Sequence, residues 1–126
     1  LKLVLTASIK KAEFEPLKKT FSLEVIKIAA KKCLEGLGKN IKSAAKIPST
    51  SLKKIPLTSI GGAGRAAFLL QTEDGKAILA MIRLKNDKKI GANMSIENPK
   101  FKKILEKNFH LLFKDIENGN YEEFEL

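Results

Sequence analysis

The chain has 126 residues, with 24 lysines and arginines against 14 acids for a net charge of +10, and 44% hydrophobic beside 30% charged residues. That balance belongs to one soluble domain able to bury a core, and no apolar run reaches the roughly 18 residues needed to span a bilayer, so membrane-integral and disordered chains are excluded. A single cysteine, Cys33, and a single histidine, His110, exclude a disulfide framework, a multi-cysteine zinc site and a Ser-His-Asp triad; no metal or cofactor is expected.

Leu1 to Ile9 is apolar with Leu1, Leu3 and Leu5 in alternation, which predicts a first strand. No basic leader with a cleavage site precedes it, so a cytoplasmic protein is expected. After a loop or short helix, Thr20 and Ser22 offer helix caps. Leu23, Ile26, Ala30, Cys33, Leu34 and Leu37 then recur at helical spacing until Gly36 and Gly38. Cys33 falls on the buried stripe and reads as a small core residue. A second short helix, Ile41 to Lys46, would complete a helical hairpin before Pro48.

The basic segment Ile47 to Leu57 leads to Gly61, Gly62, Ala63 and Gly64. Glycine-rich phosphate loops open a helix, whereas a strand follows here, so a tight turn or a close backbone approach to a ligand is the better account. Arg65 to Gln71 and Lys76 to Leu84 are two apolar runs joined by Thr72, Glu73, Asp74 and Gly75, a β-hairpin. A three-residue loop closed by a left-handed Gly75 would set Arg65 directly opposite Arg83. It would place Phe68, Leu70, Ile78 and Ile82 on one face and Ala67, Leu69, Leu79 and Met81 on the other, with both arginines.

A basic connection, Lys85 to Lys89, leads to a short strand near Ile90 to Met94. Asn98 and Pro99 then open a helix whose apolar face runs through Phe101, Ile104, Leu105, Phe109, Leu112, Phe113 and Ile116 to a stop at Asn118 and Gly119. His110 adjoins that stripe and is expected to be structural. The last twelve residues hold five acids and no base, so the other 114 carry 24 cations against nine acids, a net +15. Such a body suits a polyanionic partner, nucleic acid first. The acidic tail either folds over the basic site or is simply solvated. The whole chain is read as a single domain, residues 1–126, with 98–126 its C-terminal helix and tail. Its expected class is α+β, a small antiparallel sheet with the helical hairpin on one face and an additional C-terminal helix.

Arginine is scarce, two against 22 lysines. Two guanidinium groups facing each other across a ladder repel unless an anion lies between them, and a phosphate is the obvious candidate. Lys53, Lys54, Lys85, Lys88 and Lys89 cluster around the same hairpin end.

The order of strand, helical hairpin, basic "LKKIPL", Gly-rich turn, "GRAAFLL", "KAILAMIRL" and basic "KNDKK" resembles the RelE/ParE toxin superfamily of bacterial type II toxin-antitoxin modules. The likeness covers residues 1 to 94 and is most specific over Leu52 to Lys89. It implies a growth-inhibiting toxin that acts as a metal-independent mRNA endonuclease in the ribosomal A site and is neutralised by a cognate antitoxin covering the basic face. Carried over by position, Lys54, Arg65 and Arg83 would be catalytic, Lys54 as base at the 2′-OH and the arginines on the phosphorane, while Lys53, Lys85, Lys88 and Lys89 would bind RNA. Nucleases of this family place a tyrosine or histidine after the third strand, and Lys85 to Met94 contains neither. That departure keeps open a non-catalytic, ParE-like inhibitor of DNA gyrase, or a basic RNA- or ribosome-binding module.

Overall fold

A computed structural model describes residues 1–42, 48–90 and 93–126. The chain folds as β1 (Lys2–Thr6), α1 (Ala7–Ile9), α2 (Leu23–Leu34), β2 (Lys39–Asn40), β3 (Ser51–Ser59), β4 (Gly62–Gln71), β5 (Lys76–Leu84), α3 (Pro99–Glu117) and β6 (Tyr121–Glu125). Among the described residues the strands make one six-stranded sheet in the order β2-β3-β4-β5-β1-β6, in which only the β1–β5 pairing is parallel. The class is therefore α+β.

Ala66 to Leu70 and Ala77 to Ile82 are buried without interruption. Successive side chains on a strand point to opposite faces, so both faces of the central strands are covered. On one face α2 packs over β3 and β4, with Cys33 beside Ile55 and the fully buried Phe21 against Gly64. A Cβ at Gly64 would lie 2.8 Å from the Phe21 ring and 2.5 Å from the Arg83 carbonyl, so the close approach expected of the glycines is made to the protein's own core. The other face is closed by α3, through Phe101, Leu105 and Leu112, and by the segment after β5, where Ile90 and Met94 are buried.

Several expectations are corrected. The first strand ends at Thr6, where the chain turns into α1 and runs on as a widened helical stretch (Lys10–Phe14) and a tight turn (Glu15–Leu17). Helix α2 is capped by Ser22, whose Oγ accepts from the Val25 N–H at 3.3 Å; it stops at Leu34, leaving Leu37 exposed. Of the expected second helix, Ile41 to Lys46, Ile41 and Lys42 are not helical and residues 43–47 lie outside the described part; just before it, Lys39–Asn40 is strand. Ile90, Asn93 and Met94 are not in a strand, and 91–92 are likewise outside it. Helix α3 begins and ends as expected, with Asn98 Oδ1 accepting from the Lys100 N–H at 3.1 Å. His110 is exposed rather than packed.

The hairpin sets Arg65 opposite Arg83, as expected, but by another route. Its loop holds four residues, Thr72 to Gly75, with Gly75 left-handed at φ 64°, and Ala80 is then an extra residue on β5 that shifts the register. The bulge exchanges two side chains between faces: Leu79 pairs with Phe68, and Ile78 with Leu69.

The acidic tail is neither a cover for the basic site nor a loose end. As β6 it forms the edge strand beside β1, with Lys2 opposite Glu125 and Thr6 opposite Tyr121. Its carboxylates pair with Lys10 (2.9 Å from Glu122), with Lys76 (3.6 Å from Glu123) and with Lys2. Four strand spacings separate it from β3, about 19 Å. Deleting β6 would withdraw the half-buried Phe124 and Leu126 from the core and is expected to cost at least about 2 kcal/mol in urea denaturation. At about 0.15 M salt, where charges more than about 8 Å apart are screened, affinity for oligonucleotides should stay unchanged; a rise there would restore the masking role.

Candidate anion-binding site on β2, β3 and β4

Strand alternation divides the lysine pair. Lys54 sits opposite Ala67 on the face that carries Arg65, whereas Lys53 sits opposite Phe68 on the α2 face. There the Lys53 ammonium donates to the Gly36 carbonyl at 3.2 Å, just past the C-terminus of α2, where a cation complements the helix dipole. Lys53 is thereby separated from Lys54 by the sheet itself. Nearby, burial pushes the Cys33 thiol up to about 11 against the opposing pull of Lys53, which leaves an inert core residue.

On the other face, Lys54, Arg65 and a residue that sequence reasoning missed, Lys39, line a cavity of about 380 Å³ with Gly38, Ile55 and Pro56. Lys39 pairs directly with Lys54 across the β2–β3 ladder, and Arg65 pairs with Pro56 on the next strand. The Lys54 ammonium donates to the Met94 carbonyl at 3.0 Å. Its pKa is lowered, first by burial, then by the Arg65 and Lys39 charges. Three cations held on one concave surface favour an anion, and a lysine so placed gives up its proton more readily than a free one. A hint of Lys39 was present in the sequence: "GLGKN" follows the α2 stop closely enough for the chain to return to the sheet edge.

Arg83 has a different environment. Strand β1 pairs with β5 only along Lys2–Val4, so further along that side β5 lacks a strand partner. Two buried side chains substitute. Glu13, 4% exposed, accepts from the Ile82 N–H at 2.8 Å and from Arg83 Nη1 at 2.5 Å. Its second oxygen takes the Asn108 amide, which also donates to the bulge carbonyl of Ala80 at 2.9 Å. The anion that relieves the facing arginines is thus supplied by the protein. Arg83 is held at the sheet edge by an internal carboxylate, and the repulsion argument for a bound phosphate loses its basis there.

The other basic residues are dispersed. Lys88 and Lys89 are exposed and line a separate cleft of about 510 Å³ with Glu13, Arg83, Leu17 and Ile104. Lys85 is exposed in a third groove beside Thr20, Gly61 and Asn86. The structure therefore brings together Lys54 and Arg65, adds Lys39, sets Arg83, Lys88 and Lys89 around a second cavity and Lys85 in a third, and separates Lys53. Neither Tyr121, on β6, nor His110, exposed on α3, lines any of these cavities.

No family model matches the chain, and neither a curated protein nor a solved structure resembles it detectably. Fold and site define a small α+β protein with a three-cation pocket on one sheet face. Among the described residues no helix is long and apolar enough to cross a membrane.

Proposed function

We propose that the protein is a RelE/ParE-like toxin that binds RNA across the Lys39–Lys54–Arg65 pocket and cleaves it without metal. The observation that carries this reading is a lysine, Lys54, whose proton affinity is reduced by burial and by two flanking cations in a cavity of about 380 Å³. In its neutral form Lys54 removes the 2′-OH proton, the 2′-oxygen attacks phosphorus, and Arg65 holds the equatorial oxygens of the phosphorane. The reading draws further on a strand, the helix α2 and the antiparallel meander β3-β4-β5 following one another along the chain. In this reading the target is mRNA in the ribosomal A site, the cytoplasm is the compartment, and a cognate antitoxin covers the basic face.

Arg65→Ala is expected to slow cleavage by roughly 10²- to 10³-fold while the fold is retained. Primer extension on translated mRNA after induction measures it: cuts within codons that vanish in the variant support the reading. A second reading, a ParE-like gyrase inhibitor that hydrolyses nothing, draws on the internal neutralisation of Arg83 and the distant Tyr121 and His110. Growth arrest with intact mRNA and gyrase-linked DNA breaks would select it. An absence of toxicity would leave a plain RNA- or ribosome-binding module.

A further inference from the structure

Cleavage through the 2′-OH requires a second proton transfer, to the departing 5′-oxygen. Resting on the nuclease reading above, we infer that Lys39 supplies it as the general acid paired with Lys54 as base.

The two lysines are register partners on adjacent antiparallel strands, so their side chains leave the same face with Cβ atoms roughly 5 Å apart. The pairing is held on both sides of the turn into β3: Ile41 donates its N–H to the Leu52 carbonyl at 2.8 Å, in the same register. Both side chains line the cavity that contains Arg65. Their surroundings differ in the sense an acid–base pair needs. Lys54 is half-buried and anchored to the Met94 carbonyl, whereas Lys39 stands exposed on the edge strand. Burial disfavours the charged form of Lys54, while Lys39 is open to solvent and can exchange its proton with water after each turnover. The cavity lining includes no carboxylate among the described residues, so no internal anion competes for Lys39 as Glu13 does for Arg83.

The step balances with the groups present. The 2′-hydroxyl proton passes to the Lys54 amine, and the 2′-oxygen forms a bond to phosphorus. The bond from phosphorus to the 5′-oxygen breaks, and the Lys39 ammonium gives that oxygen its proton. The products are a 2′,3′-cyclic phosphate and a 5′-hydroxyl. Lys54 ends protonated and Lys39 neutral, and exchange with water resets both.

A short mRNA carrying one 5′-bridging phosphorothiolate, given free and in the A site of programmed ribosomes, separates acid catalysis from charge stabilisation, because a thiolate leaves without a proton. Lys39→Arg keeps the cation but holds its proton too tightly to act as an acid. On ordinary RNA both Lys39→Arg and Lys39→Ala should be slowed by roughly 10²- to 10⁴-fold. On the phosphorothiolate, Lys39→Arg should fall within a few-fold of wild type. If Lys39→Arg cleaves ordinary RNA at the wild-type rate, or if both substrates are slowed equally, Lys39 only attracts RNA and the inference is overturned while the nuclease reading stands. If the wild-type protein cuts neither substrate, both are overturned.

Discussion

Glu13→Ala is expected to destabilise the protein by about 3–5 kcal/mol, the largest effect of any single polar substitution considered. The carboxylate is 4% exposed and satisfies three donors: the Ile82 N–H, the Arg83 guanidinium and the Asn108 amide. Its removal leaves the Arg83 guanidinium without its counter-charge, held by its donation to the Ile82 carbonyl at 2.7 Å, and the Ile82 N–H without its acceptor where β1 has already left the sheet. Glu13→Gln retains an acceptor for Ile82 and should cost distinctly less. The double change Glu13→Leu with Arg83→Met removes both charges, and by the logic of buried ion pairs most of the loss should be recovered. Urea denaturation of the wild type, Glu13→Leu, Arg83→Met and the double variant forms a cycle that isolates the pair. A double variant as unstable as Glu13→Ala would show that the backbone contact, not the ion pair, dominates.

Lys54→Met is expected to lower cleavage by roughly 10²- to 10⁴-fold, the range of a lost general base. It should also change how stability depends on pH. Folding lowers the Lys54 pKa below the usual lysine value of 10.5, by burial first and by Arg65 and Lys39 second. The unfolded chain therefore binds the proton more tightly. Below the folded pKa both states are protonated and the cost of the charge is fully present; as pH rises from there towards 10.5 the cost is relieved, and wild-type stability gains. The difference in melting temperature, variant minus wild type, should thus be most favourable to Lys54→Met near neutral pH and shrink as the solution becomes alkaline. A difference independent of pH would mean that Lys54 is not strained in the folded state.

The elements with strong local signals were legible before any coordinates. Asn98-Pro99 opened α3, Ser22 capped α2, and the two apolar runs around Gly75 formed the central hairpin. These depend on neighbours a few residues away. The facing arginines were legible too, although the pairing arises from a longer loop and a bulge at Ala80 whose effects on Arg83 cancel. What occupies the space beside them was not. Glu13 and Arg83 are separated by 70 positions, and nothing in "KAEFE" distinguishes a buried carboxylate from a solvated one until β1 is known to stop at Thr6. Lys39 was missed for a similar reason, since a two-residue strand has no periodicity to detect. The lysine pair was misgrouped because sequence adjacency was given more weight than the period of two that strands impose.

The placement of β6 bears on how a partner is met. Its glutamates neutralise Lys2, Lys10 and Lys76 at one margin, while Lys39, Lys54 and Arg65 stand towards the opposite margin around a cavity whose described lining holds these three cations. With the acids gathered at one margin and these cations towards the other, the β2 side of the sheet is the more positive. In the field of a polyanion such a body rotates before it touches, presenting the β2 margin first. Encounters become productive more often than a uniformly basic surface would allow, and the gain in association rate should fade as added salt shortens the reach of that torque.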